Sequence, residues 1–182
     1  MPFAQRMIGG RRFLFGALLH RGQVLSAYTQ TTVEGVAPPT GPSIRVRTVD
    51  VPALHDYGAK LFAQLEWSGL ACAEFVEDTD GRFYFMEINP RPWAAIAAAT
   101  AAGAPLIDQF VDYLSTGRTS FPPSPRLECD VPLFPQYLMS KALGASPWAS
   151  RDIGPALRCL ASSPWSEPRL LLHYLRTWWW LR

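Results

Sequence analysis

Cysteine is scarce in this chain of 182 residues. Cys72, Cys129 and Cys159 make an odd count with no CxxC spacing, which points away from a disulfide framework or a thiolate zinc site and fits a reducing, cytoplasmic setting. An excess of one charge is missing too. Lys and Arg total 17 against 15 Asp and Glu, a formal net charge of +2, so the electrostatic footprint of a nucleic-acid binder is absent and no nucleic-acid partner is expected. The longest uncharged run, residues 92–107, is short for a membrane span and is broken by Gly103-Ala104-Pro105. The apolar tail over 170–181, with Trp178, Trp179 and Trp180, is interrupted by His173 and Arg176. It reads as an aromatic helix packed on its own domain or on a partner rather than on a membrane surface. Arg11-Arg12 before Phe13-Leu14 is only faintly like a twin-arginine export signal, because the apolar stretch ends at His20-Arg21 with no small-residue cleavage site. No Ser/His/Asp or Cys/His nucleophile arrangement is legible, and His20, His55 and His173 stand isolated.

What is present is apolar residue: 48% hydrophobic against 18% charged, enough to bury a core and to exclude disorder. The length fits one domain and a tail. Short β-branched or aromatic runs over 3–8, 12–20 and 23–31, separated by Gly9-Gly10 and Arg21-Gly22, read as strands. Residues 34–43 read as a loop from their Gly and Pro, and 44–49 alternate as a half-exposed strand. Apolar positions Leu54, Tyr57, Leu61, Phe62 and Leu65 recur at helical spacing between Pro52 and Gly69. Runs over 70–77 and 82–89 flank Asp78-Thr79-Asp80-Gly81, a hairpin signal. Pro92 suits the first turn of a helix to about Ala102, and a second helix runs over 105–116 to Gly117. Residues 121–126 break the chain, and helices are expected around 152–161 and 169–180. The fold class expected is α+β, an antiparallel sheet with packed helices over 1–118, followed by a Pro-rich linker and a helical, Trp-rich extension over 119–182.

A turn symmetric about the Asp80–Gly81 bond sets Glu74 directly opposite Glu87 on one face of the sheet, with Phe83 and Phe85 on that face. Like charges so placed destabilise a sheet and call for a shared proton or a cation. Asn89 points the same way and adds a neutral oxygen. Two carboxylates and an amide are hard donors that suit Mg²⁺ or Mn²⁺ rather than zinc. Arg91 continues the face, and a helix opening at Pro92 adds free N–H groups that favour an anion. Together they describe a phosphate-handling site. A three-residue turn with a Gly bulge would instead shift the pairing by one and put the glutamates on opposite faces.

Glu74-Phe75, Asp80-Gly81 and the run Phe85-Met86-Glu87-Ile88-Asn89-Pro90-Arg91 resemble the metal-binding end of the ATP-grasp ligases, in particular the carboxylate–amine ligase and carbamoyl-phosphate-synthase-like members. Residues 65–71 resemble the helix-to-strand joint of that group, and the likeness covers residues 3 to about 118. It implies that Glu74, Glu87 and Asn89 ligate Mg²⁺ bridging the phosphates of ATP, and that Arg91 holds the substrate carboxylate or its acyl phosphate. It further implies that Val76 touches the adenine, and that 4–8, with Gln5, Met7 and Ile8, form the hinge strand whose backbone reads the adenine edge. Such ligases carry an earlier subdomain with phosphate-binding lysines and a Gly-rich lid. This chain begins at the hinge, so about half of the clamp is absent from it, and ATP is expected to bind weakly unless another polypeptide, a partner chain or a second copy, supplies that half. Arg45 and Arg47 read most simply as a half-exposed strand edge rather than as substitutes for the missing phosphate cations. The alternative to a partial ligase is a non-catalytic fragment that docks on a partner.

Overall fold

The structure is a computed structural model and describes residues 6–36, 41–144, 153–161, 169 and 172. Its strands are β1 (Arg11–His20), β2 (Gln23–Gly35), β3 (Ser43–Val49), β4 (Gly69–Glu77), β5 (Phe83–Asn89) and β6 (Asp130–Pro132). The helices are α1 (Pro52–Leu65), α2 (Ala97–Ala101), α3 (Leu106–Thr116), α4 (Gln136–Ala142) and α5 (Ile153–Ala161). The strands form one sheet in the order β5-β4-β1-β2-β3-β6, and β1 pairs antiparallel with both β2 and β4. The α+β class expected from the sequence is therefore observed.

By contacts the chain divides into two compact units, residues 1–32 with 47–129 and residues 33–46 with 130–182. In the first, β1 and β4 read as near-continuous apolar runs because both lie inside the sheet and are covered on both faces. One face carries Phe13, Phe15, Ala17, Leu19, Ala71, Ala73 and Phe75 against Leu54 and Phe62 of α1. Pro52 at the first turn starts α1, since its missing N–H has no partner to lose there. The helix ends at Leu65 with Glu66 left-handed at φ 48°, ahead of the Gly69 stop expected. The other sheet face carries Leu14, Gly16, Tyr28, Cys72, Glu74 and Val76 by strand alternation. In the second unit Ile44 and Tyr137 pack with Val36, Phe134, Leu138 and Ala156. Among its described charges, Lys141 Nζ lies 2.5 Å from Glu34 Oε1, and Arg45 bridges Glu34 at 3.5 Å and Asp130 at 3.3 Å.

Two of the expected elements change. Residues 6–9 are not strand, so the described part of the hinge segment is irregular backbone, and Gln5 lies outside the described residues. The helix expected from Pro92 is only the short α2 over Ala97–Ala101, because Trp93 is drawn into the sheet face instead (below). The short β6 and α4, each a few residues beside prolines, carry too little periodicity to be read in advance. Among the described residues no helix is long and apolar enough to cross a membrane. Residues 169 and 172 are helical, and the rest of the expected 169–180 helix lies outside the described residues.

Candidate functional site

The β4–β5 hairpin is built from its turn outward. The Asp78 carboxylate accepts the backbone N–H groups of Asp80 and Arg82, each at 2.9 Å, and the Tyr84 hydroxyl at 3.0 Å. Those hydrogen bonds to the charged form hold its carboxyl below the usual range. Gly81 sits at φ 78°, the left-handed residue that closes a three-residue turn. This is the turn that shifts the register, and near it Glu77 pairs with Phe83 and Phe75 with Phe85. A bulge then falls at Met86 and shifts the register back. The two shifts cancel, so Glu74 pairs with Glu87 and Cys72 with Asn89. Phe83 and Phe85 lie on the opposite face from the acids, contrary to expectation. Phe83 meets Phe13 edge-on at 5.4 Å and Phe85 meets Phe75 at 6.0 Å, both toward the α1 core.

The acids are tied by one carboxamide. Asn89 Nδ2 donates to Glu74 Oε1 at 3.2 Å and to Glu87 Oε1 at 2.8 Å. Arg91 Nη2 donates to Asn89 Oδ1 at 3.2 Å, and Nη1 to the Pro92 carbonyl at 3.2 Å. Burial, and then the Glu87 charge, push the Glu74 carboxyl up; Arg12, Arg91 and the Asn89 hydrogen bond act the other way. The same burial, reinforced by Glu74, pushes the neighbouring Cys72 thiol up to about 12, so it is an inert thiol rather than a nucleophile. Arg12 is a site residue that sequence reasoning missed. It pairs with Val76 across β1–β4 and so shares the face of Glu74. The signal was an arginine in a strand otherwise apolar, but its face depends on a pairing 64 residues distant in sequence.

Trp93 fixes the segment that carries Arg91. Its Nε1–H donates to the Tyr28 hydroxyl at 3.0 Å, the two rings stack at 6.1 Å, and Trp93 is 6% exposed. The Tyr28 hydroxyl donates in turn to Gln30 Oε1 at 2.9 Å, with the Ala95 carbonyl at 3.2 Å. Gly16 leaves the room for this, since a Cβ there would stand 2.2 Å from Trp93 Cζ2.

The other expected site residues are dispersed. Val76 is buried on the Glu74 face, whereas Met7 is 76% exposed. An open cavity of about 420 Å³ lies at the turn end of the hairpin, lined by Gly10, Arg11, Glu77, Asp78, Thr79 and Gly81, none of them an expected ligand. The helix N-terminus expected beside Arg91 is not there, because α2 begins only at Ala97. Arg45 is held by Glu34 and Asp130 in the second unit.

The donor set fits a hard divalent cation. Two carboxylates face each other with an amide between them, and the charge cost of their approach is what a cation removes. Among the described residues no group of three or more His, Cys, Asp or Glu gathers, at this site or elsewhere, so the third donor here is the Asn89 amide.

Over part of its length the chain has an ATP-grasp fold. The solved structures it resembles include the biotin carboxylase domain of a thermophilic 2-oxoglutarate carboxylase bound to bicarbonate, with a TM-score of 0.52 and 15% identity over 64% of this chain. A biotin carboxylase complex from Campylobacter jejuni has a TM-score of 0.47 at 15% identity over 66% of the chain and 28% of its own. The phosphoribosylaminoimidazole carboxylase ATPase subunit from Aquifex aeolicus has 0.46 at 16% over 58% and 34%. The chain spans 28% of the length of the first of these. At these identities the likeness is one of fold. No family model and no curated protein matches the sequence.

Proposed function

We propose that this chain is the metal- and phosphate-binding part of an ATP-dependent ligase that activates a carboxylate for joining to an amine. Glu74, Glu87 and Asn89 hold Mg²⁺ or Mn²⁺, and Arg91 orients the carboxylate substrate. Val76, with the backbone of Met7 and Ile8, lines the adenine end. A bound divalent ion supplies charge neutralisation for the phosphates of ATP. The rest falls to the chain's own groups. Arg91 presents a planar fork that matches a carboxylate in two parallel hydrogen bonds. It holds the substrate oxygen in line with the γ-phosphorus, where that oxygen forms the new P–O bond as ADP leaves. The acyl phosphate so formed loses inorganic phosphate when the amine attacks its carbonyl carbon. Positioning and charge, rather than covalent chemistry by the protein, carry such a transfer.

The observation behind this reading is the direct opposition of Glu74 and Glu87 with their shared amide. A sheet keeps two like charges face to face at a cost, and a cation recovers that cost. The chain spans 28% of the length of its structural relative, so this reading assigns it one part of the ligase and not turnover on its own. ADP release by the chain alone, measured with ATP, Mg²⁺ and a panel of small acids and amines, is expected to stay at background. Robust turnover would contradict the assignment of this chain as one part of the ligase.

A docking role has one observation in its favour. Ile107, Val111 and Leu114 of α3 recur at helical spacing and are 43%, 56% and 66% exposed. A strictly monomeric chain by light scattering would count against it.

A further inference from the structure

The polarity of the site's hydrogen bonds leaves the Asn89 carboxamide a single orientation. Ionised carboxylates only accept and a guanidinium only donates. Asn89 stands between two acceptors, Glu74 and Glu87, and one donor, Arg91. Its Nδ2 must therefore face the acids and its Oδ1 must face Arg91, as is observed. In this state the amide acts as a neutral substitute for a cation between the two glutamates, and its oxygen is committed to the arginine.

That commitment has a consequence for any cation held by the same acids. For Oδ1 to join Glu74 and Glu87 as a ligand, the carboxamide has to turn end for end. Nδ2 then faces Arg91, donor against donor, and the Arg91–Asn89 bond is lost. The backbone does not take up this change. Asn89 is fixed by the β5 ladder opposite Cys72, Arg91 is flanked by Pro90 and Pro92 with their fixed φ, and Trp93 is pinned by Tyr28. What remains on the released guanidinium is one 3.2 Å bond to the Pro92 carbonyl from Nη1. Its Nη2 is left exposed and in need of an acceptor.

We infer that Asn89 is a two-position relay which makes divalent-cation binding and carboxylate binding at this site mutually reinforcing. Loading the acids frees Arg91 for the substrate carboxylate, and a carboxylate on Arg91 frees Oδ1 for the cation. Linkage requires the coupling to be the same in both directions. The inference rests on the proposed cation site but goes beyond it, because a cation held by the glutamates alone, with Asn89 unmoved, would satisfy the first and not the second.

The test is nuclear magnetic resonance on the isotope-labelled full chain, following the Asn89 side-chain NH₂, the Arg91 guanidinium nitrogens and the glutamate carboxyl carbons. The probes are MgCl₂, and acetate as a plain carboxylate. Without Mg²⁺ the two Arg91 Nη nitrogens are expected as separate signals, because hydrogen bonding slows rotation of the guanidinium. With Mg²⁺ the Asn89 NH₂ signals move and the Arg91 pair merges. Acetate then restores the splitting, and it half-saturates the Arg91 guanidinium shifts at a concentration at least about 5-fold lower with Mg²⁺ than without, the lower end of usual coupling. In Asn89→Asp an oxygen can serve each neighbour at once, so the acetate response is expected to lose its dependence on Mg²⁺. If Mg²⁺ shifts the Glu74 and Glu87 carboxyls while the Arg91 pair stays split, the relay is wrong and the cation site stands. If Mg²⁺ shifts neither carboxyl, the cation site and the relay both fail.

Discussion

Glu74 carries the largest electrostatic tension at the site, since burial and Glu87 both oppose its charged form. The sign of the effect on stability follows from linkage. A carboxyl whose folded value is raised binds more protons folded than unfolded across the window between its ordinary and its raised value. Its favourable contribution is complete below the ordinary carboxyl range and is lost as pH rises through the raised value. Glu74→Gln is therefore expected to melt higher than the parent at pH 7, with the difference closing below about pH 4. For a domain of this size each kcal/mol relieved corresponds to about 2–4 °C. Mg²⁺ is expected to raise the melting temperature of the parent chain and to leave the Glu87→Gln variant unmoved. Thermal melts from about pH 3 to about pH 8, with and without Mg²⁺, check both; a Glu74→Gln variant less stable at pH 7 would contradict the charge argument.

The hairpin and the segment after it set where the site's groups stand. Gly81 is needed for its backbone conformation alone, since nothing lies within 4 Å of a Cβ built there while φ is 78°. Gly81→Ala is expected to cost about 1–2 kcal/mol, and Gly81→Asn less, because Asn tolerates that conformation. Chemical denaturation of the two variants gives the order, and equal stabilities would contradict it. Gly16 is needed for space. A Cβ there meets Trp93 at 2.2 Å and Tyr28 at 2.9 Å, so Gly16→Ala is expected to lose about 1–3 kcal/mol. It should also weaken acetate binding at Arg91 through the displaced segment, whereas an equally destabilising change in the α1 core should not.

These same elements mark what was legible in the sequence. The opposition of Glu74 and Glu87 was inferred from a symmetric turn and period-two alternation, and it holds only because two departures from that scheme cancel. The route itself was not legible. The turn signal of Asp78 to Gly81 fits two closures, and the bulge at Met86 that offsets the actual one leaves no local mark. Phe83 and Phe85 were accordingly placed on the wrong face. The alanine-rich stretch after Pro92 reads as helix by propensity, but the hydrogen bond from Trp93 to Tyr28, 65 residues away, overrides it. Arg12 joins the site through a strand pairing that no local pattern encodes.

At the scale of the molecule, the ATP-grasp fold covers part of the chain, and two compact units each bury a core of their own. The chain matches little more than a quarter of its structural relative, so binding, rather than turnover, is the property to measure on it directly. The central claim is that Glu74, Glu87 and Asn89 hold a divalent ion that in turn holds nucleotide phosphates. Titrating ADP into the full-length chain by calorimetry, with Mn²⁺ and then with EDTA in its place, addresses it with one instrument. Binding is expected only with Mn²⁺, and Glu87→Gln is expected to weaken it by at least about 10-fold, roughly 1.4 kcal/mol. Nucleotide binding that ignores both the metal and Glu87 would contradict the account.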